Sequence, residues 1–219
     1  MIKKGIILLW VLLFAFTLLT VANINQVQAG EIAVLNTANT LPALRVNVQA
    51  PPNTLDPQAA SFAQEVSHLM LVYEGLTMLN DELATVPGAA ESWQYNEDAT
   101  TLTFTLRPGL QYSDGSLLNA QRFEYSIMRA IDPVTDSYMA FMLDVIIGAP
   151  EWRSADYTAP NYDPEIYKAA LGVEALTLTG SPCTSYTQTD CLRLKLSFSE
   201  TALYFHSIMA LWLGFMKIA

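Results

Sequence analysis

Glu74 and Glu91, Cys183 and Cys191, and His68 and His206 are the side chains whose types first invite a chemical reading. An acid and base pair needs two carboxylates at a defined separation across a cleft. Nothing in the sequence sets that separation for Glu74 and Glu91, so helix-end or surface ion-pair roles are expected of both. A metal site needs several ligands close together, and neither histidine is near the cysteines in sequence. His68 and His206 therefore read as surface or cap residues. Neither G-x-S-x-G nor H-E-x-x-H occurs anywhere in the chain, which removes the two commonest signatures of an exported hydrolase. No enzymatic activity, cofactor or metal is expected.

Other polar groups have local explanations. Asp56, in Thr54-Leu55-Asp56-Pro57, is placed to accept backbone N–H groups in a turn, and Asp114-Gly115 reads as a tight turn without the regular oxygen ligands of a calcium loop.

Compartment follows from the N-terminus. Lys3 and Lys4 precede an uncharged apolar run from Gly5 to Ala22, and Val27 and Ala29 satisfy the small or apolar positions before a break after Ala29. Residues 1–29 are expected to be a secretory signal peptide; the length of the apolar run keeps an uncleaved membrane anchor as the alternative. The chain carries 11 basic and 21 acidic side chains, a formal charge of −10. Removing residues 1–29 takes two of the 11 lysines and arginines and none of the acids, leaving −12. Such a surface repels nucleic acid. In an oxidising compartment Cys183 and Cys191, flanking the polar loop CTSYTQTDC, are expected to pair; two free thiols are the alternative.

The elements that must position these groups are mixed. Arg45 to Val48 alternates like a strand, and Pro51-Pro52 breaks it. Apolar spacing from Ala59 to Leu79 predicts a helix, with Gly75 at its end. Trp93–Asn96 and Thr101–Leu106 predict a hairpin joined by the turn Asn96-Glu97-Asp98-Ala99. Asn119 predicts an N-cap for a helix carrying Phe123, Ile127, Ala130 and Ile131, stopped by Asp132-Pro133. Asp163-Pro164 starts another helix and Gly172 stops it. Val173–Leu178 and Leu192–Phe198 read as strands, and Ser199 as the cap of a last helix, Ala202–Leu213. Without regular βαβ alternation this is an α/β class with antiparallel elements.

An ordered series of short motifs carries more. Leu55-Asp56-Pro57, Tyr73-Glu74-Gly75-Leu76, Ala90-Glu91-Ser92-Trp93, Leu106-Arg107-Pro108-Gly109, Ser113-Asp114-Gly115 and Tyr125-Ser126 follow one another with a spacing that resembles the family-5 solute-binding proteins, extracytoplasmic receptors of ABC transporters. The resemblance runs from about Leu44 to Leu213 and covers only the first third or so of such a receptor. It implies a periplasmic-binding-protein-like fold of the class II type, present as a partial first lobe. The main lobe would begin in 30–54, a small mixed α/β domain would be inserted over 55–171, and 172–219 would return to the main lobe. The second lobe would be missing and the chain truncated. It also implies an oligopeptide or other small solute as ligand, membrane permease subunits as partners, and a monomer. A signal-anchored exported interaction domain, or a hydrolase lacking recognisable motifs, is the alternative.

Two regions inherit ligand contacts from the resemblance. Tyr138 matches a cleft tyrosine of the peptide-binding members, against the plainer reading of Tyr138, Phe141 and Met142 as core. Residues 49–53 match a stretch that pairs with an extended peptide backbone. Here Pro51 and Pro52 lack N–H groups, which leaves Gln49, Ala50 and Asn53 as donors.

Overall fold

The structure is a computed structural model that describes residue 47 and residues 50–211. The expected signal peptide, all of the strand expected at Arg45–Val48 except Asn47, Gln49 and the end of the last expected helix lie outside the described residues.

A four-stranded antiparallel sheet organises the protein. Strands β3 (Ala90–Tyr95) and β4 (Thr101–Leu106) form the expected hairpin, with Trp93 opposite Phe104 and Tyr95 opposite Leu102. Their turn is held by the Asn96 side chain, which accepts from the Thr101 N–H at 2.9 Å. Along β4 the alternation of threonine with Leu102, Phe104 and Leu106 sends every second side chain into the core. Strand β6 (Arg193–Ser197) pairs with β4, setting Leu194 beside Phe104 and Leu196 beside Leu102. Strand β5 (Val173–Leu176) forms the other edge, giving the order β3-β4-β6-β5. A smaller sheet pairs β1 (Thr77–Leu79) with β2 (Thr85–Pro87).

Here α1 is Ala63–Leu69 and α2 is Ala120–Ile131. Helix α2 lays Phe123, Ile127, Ala130 and Ile131 against the large sheet, all buried in one core with Leu102, Phe104 and Leu194. Each large apolar side chain so buried contributes about 1.5–3 kcal/mol. Trp152, on α3 (Ala149–Arg153), closes the same core, its indole N–H donating to the Tyr162 hydroxyl at 3.0 Å. Helix α4 (Pro164–Ala170) starts where Asp163 accepts from the Glu165 N–H.

The sheet runs across Gly172. Strands from both sides of that residue share one ladder and one core, so the sheet itself marks no division there. Gly172 has a different reason to be glycine from ending a helix. A Cβ there would lie 2.5 Å from the Ser197 carbonyl oxygen, and the two backbones exchange a 2.7 Å hydrogen bond.

Two expected helices are shorter than the apolar spacing predicts. Between Ala59 and Leu79 only α1 is helical, and Phe62 and Met70 are more than half exposed. Thr77–Leu79 instead pair with β2, and the Thr77 hydroxyl donates to the His206 carbonyl at 2.6 Å. A hairpin pairing, with a hydrogen bond from Thr77 to the distant His206, outweighs a local 3.6-residue period. At the C-terminal end, α5 spans Phe205–Ile208, and Ser199 caps nothing: its N–H and hydroxyl both donate to the Val145 carbonyl.

Candidate functional site

The candidate contact segment begins at Ala50, exposed, and passes through Pro51 and Pro52 to Asn53, also exposed. Burial does not hold this stretch, so polar anchors must. The Asn53 N–H donates to Glu65 Oε1 at 3.2 Å, and the other Glu65 oxygen accepts from the Ser61 and Phe62 N–H groups at 2.8 and 3.0 Å. Those converging backbone donors hold the Glu65 carboxyl below the usual carboxylate range. The Asn53 N–H is thereby engaged within the chain, and Gln49 lies outside the described residues. Ala50 is the remaining described donor of the three expected.

A second anchor follows. Asp56 accepts the Gln58 N–H at 3.1 Å, the turn role its sequence context implies, but it also takes a two-pronged hydrogen bond from the Arg129 guanidinium. That pairing lowers the Asp56 carboxyl pKa from its ordinary value. Gln58 is 5% exposed; its amide donates to Ser126 Oγ at 2.7 Å and accepts from Arg129. Sequence reasoning found half of this site. The aspartate was visible next to its proline, whereas Arg129, 73 positions on, carried no local signal.

Tyr138 is 75% exposed and Phe141 is also exposed, which removes the core reading for both. The loop that presents Tyr138 starts at the end of α2. There the Asp132 carboxylate accepts the Val134 N–H and begins a 3₁₀ turn, Pro133–Thr135, which Asp136 leaves in the left-handed region at φ 52°. Arg129 stands in the last turn of α2. Both candidate contact elements are thus tied to the C-terminal end of one helix. Among the described residues, no hydrogen bond or ring contact joins Tyr138 to Ala50 or Asn53.

The remaining singled-out residues are structural. Cys183 and Cys191 are bridged, their Cα atoms 5.7 Å apart. The loop between them packs on the start of α2. Asn119, expected to cap that helix with its side chain, instead donates from Nδ2 to the Ser185 and Gln188 carbonyls at 3.1 Å. Arg122 lies over the Tyr186 ring at 4.2 Å. Glu74 pairs with Arg107 at 2.7 Å on the surface, and Glu91 is exposed. His68 bonds the Gln64 carbonyl of its own helix. His206 is no surface residue: it is half-buried, stacked on Trp93 at 5.3 Å and bonded to the Tyr95 hydroxyl. Among the described residues no cluster of three or more His, Cys, Asp or Glu is arranged to hold a metal.

Beside α2 a cavity of about 330 Å³ is lined by Glu124, Met128, Arg129, Trp152, Lys168 and Tyr186, at the lower end of ligand-pocket volumes. Burial raises the Glu124 carboxyl pKa, and its oxygen accepts the Ala175 N–H of edge strand β5 at 3.0 Å.

Residues 84–213 match the family model described as bacterial extracellular solute-binding proteins, family 5 Middle. The oligopeptide-binding protein OppA of Bacillus subtilis is 34% identical over 106 residues, which are 48% of this chain and 19% of that protein. The probable deoxycholate-binding periplasmic protein YgiS of Escherichia coli is 36% identical over 96 residues, 44% of this chain and 18% of that one. In three dimensions the crystal structure of Haemophilus influenzae OppA in complex with RPPGFSPFR superposes with a TM-score of 0.63 at 25% identity, covering 77% of this chain and 29% of the other. The matched part thus spans about a fifth of these curated relatives' length. The chain belongs to the family-5 bacterial extracellular solute-binding proteins, and its fold is that of part of a periplasmic peptide-binding protein.

Proposed function

We propose that this family-5 chain serves an ABC transporter as a solute-binding polypeptide, that its ligand is an oligopeptide, and that its described residues supply one wall of the cleft. The observation that carries the reading is Tyr138: an aromatic side chain 75% exposed, on a loop fastened to the same helix end as the Ala50–Asn53 segment. A tyrosine there packs its ring on an apolar side chain while its hydroxyl meets a peptide carbonyl. Ala50 offers a backbone donor and Asn53 an amide side chain. The protein performs no chemistry on the solute.

Such a wall buries too little of a peptide for tight binding, because drug-sized ligands generally lose 70–90% of their surface in a complete pocket. Weak association is therefore expected of this chain by itself. The relatives match only in part, and permease subunits, export through the 1–29 signal with a mature N-terminus at Gly30, and a monomeric state belong to the same proposal.

Titrating a mixed tri- to pentapeptide pool into the isotopically labelled protein tests it. Weak, saturable shifts at the amides of Ala50, Asn53 and Tyr138, diminished in Tyr138→Ala, are the expected result. Shifts elsewhere only, or none, overturn the peptide site. Sub-micromolar affinity lost on Tyr138→Ala would show a complete cleft and end the one-wall part. Deoxycholate, the ligand in the name of one relative, is titrated in parallel; saturable binding by it alone would move the ligand class.

A further inference from the structure

We propose that Arg129 is a positioning residue for solute recognition, holding the Ala50–Asn53 segment in its contact geometry from the last turn of α2. The inference rests on the function proposed above for that segment.

Three observations converge. First, the segment lacks apolar support: Ala50 and Asn53 are exposed, and Leu55 is 55% exposed. Second, Arg129 and Ser126, one turn apart on α2, bracket the buried Gln58 amide from both sides, while the Arg129 fork also holds both Asp56 oxygens. A planar guanidinium can serve these three acceptor oxygens together, which a lysine ammonium cannot do in the same geometry. Third, the path from this anchor back to Asn53 is stiff. The Asp56 N–H donates to Thr54 Oγ1 at 3.0 Å and the Asn53 N–H is tied to Glu65, while Pro51 and Pro52, just before Asn53, have fixed φ. A displacement at Asp56 is carried to Asn53 rather than absorbed.

Removing the guanidinium leaves the buried Gln58 carbonyl oxygen without its donor and the Asp56 carboxylate with backbone N–H donors alone. The segment has no core contacts of its own with which to compensate. The sheet, built on apolar packing, does not share the loss.

Backbone amide exchange by NMR on the parent, Arg129→Met and Arg129→Lys decides the matter. The amides of Asn53 and Gln58 are expected to exchange on the order of tenfold faster in Arg129→Met, with Arg129→Lys in between, since it keeps the charge and loses the fork. Those of Phe104 and Leu194 should stay within about twofold of the parent. Unchanged exchange at Asn53 and Gln58, or equal acceleration in sheet and segment, overturns the proposal. If Arg129→Met does not fold, Arg129→Lys and Asp56→Asn carry the same comparison. The peptide pool supplies the second readout. Loss of segment protection with affinity retained shows that Arg129 holds the segment without positioning it for the ligand, which overturns the proposal. A parent that binds no peptide counts against the proposed function, and with it against any recognition role for Arg129, while the exchange data still report whether the anchor exists.

Discussion

The sheet with α2 and the segment from Ala50 to Phe62 are held together largely by opposite means, although Ala60 packs in a small apolar cluster with Leu69 and Tyr73. In the sheet, Leu102, Phe104, Leu194, Leu196, Phe123 and Ile127 pack without a polar atom among their side chains. In the segment, Glu65 and Arg129 reach out to backbone N–H groups, a carboxylate and an amide. The first kind of order scales with area removed from water and holds no charge for pH to titrate or salt to screen. The second depends on charge and geometry at a few atoms, and the Arg129–Asp56 anchor is partly open to solvent screening. The sheet and α2 form an apolar platform, and the place of the segment is set by polar anchors.

The largest effect should come from breaking the platform. Phe104→Ala is expected to cost about 3–5 kcal/mol in urea unfolding, and because α2 loses its seat, segment protection should disappear with it. Opening the Cys183–Cys191 bridge comes next, at about 2–3 kcal/mol by the loop-entropy account. Alkylation of the non-reduced, denatured protein should find no free thiol; two free thiols would remove the bridge from the comparison.

The pH response sharpens the contrast, because two carboxylates on α2's surroundings carry opposite signs. Asp56 has a depressed pKa. Its contribution is fully present above the ordinary carboxylate pKa and is lost as pH falls through the lower folded value. Segment protection should therefore persist at pH 5 and fade well below pH 4, since an ordinary aspartate titrates at 3.8 and Asp56 lies below that. Glu124 has a raised pKa. Its contribution is present below the ordinary value and lost as pH rises through the higher folded one. Glu124→Gln, which keeps an oxygen for the Ala175 N–H, should gain stability relative to the parent as pH rises above about 4.5, the ordinary glutamate value. A parent-to-variant difference that stays flat between pH 4 and 7 would rule that out.

The smallest expected effect on stability is that of Tyr138→Ala, within about 0.5 kcal/mol for an exposed side chain. A larger loss in thermal melting would mean that Tyr138 supports the fold and return it to the core reading.

The motif series that carried the resemblance has a spatial meaning that no single motif declares. Leu55-Asp56-Pro57 meets the helix of Tyr125-Ser126 through Gln58, Ser126 and Arg129, and Tyr73-Glu74-Gly75-Leu76 meets Leu106-Arg107-Pro108-Gly109 through Glu74 and Arg107.

The hairpin, α2 and its buried face were legible because their information is local: a period of two with a polar turn, and a 3.6-residue stripe ended by Asp132-Pro133. The sequence by itself likewise determined the acidic surface, and the candidacy of Tyr138 came with the family resemblance. Only the tertiary structure decided that Thr77–Leu79 leave a helical pattern to pair with Thr85–Pro87, that Asn119 reaches the disulfide loop, that His206 stacks on Trp93, and that Arg129 bonds Asp56 and Glu65 bonds Asn53. Except in the β1–β2 hairpin and where Glu65 also bonds its own helix start, the partner in each of these lies well away in sequence. Hydrophobic periodicity records which face of an element is buried, but it holds no record of which distant donor will meet a given acceptor.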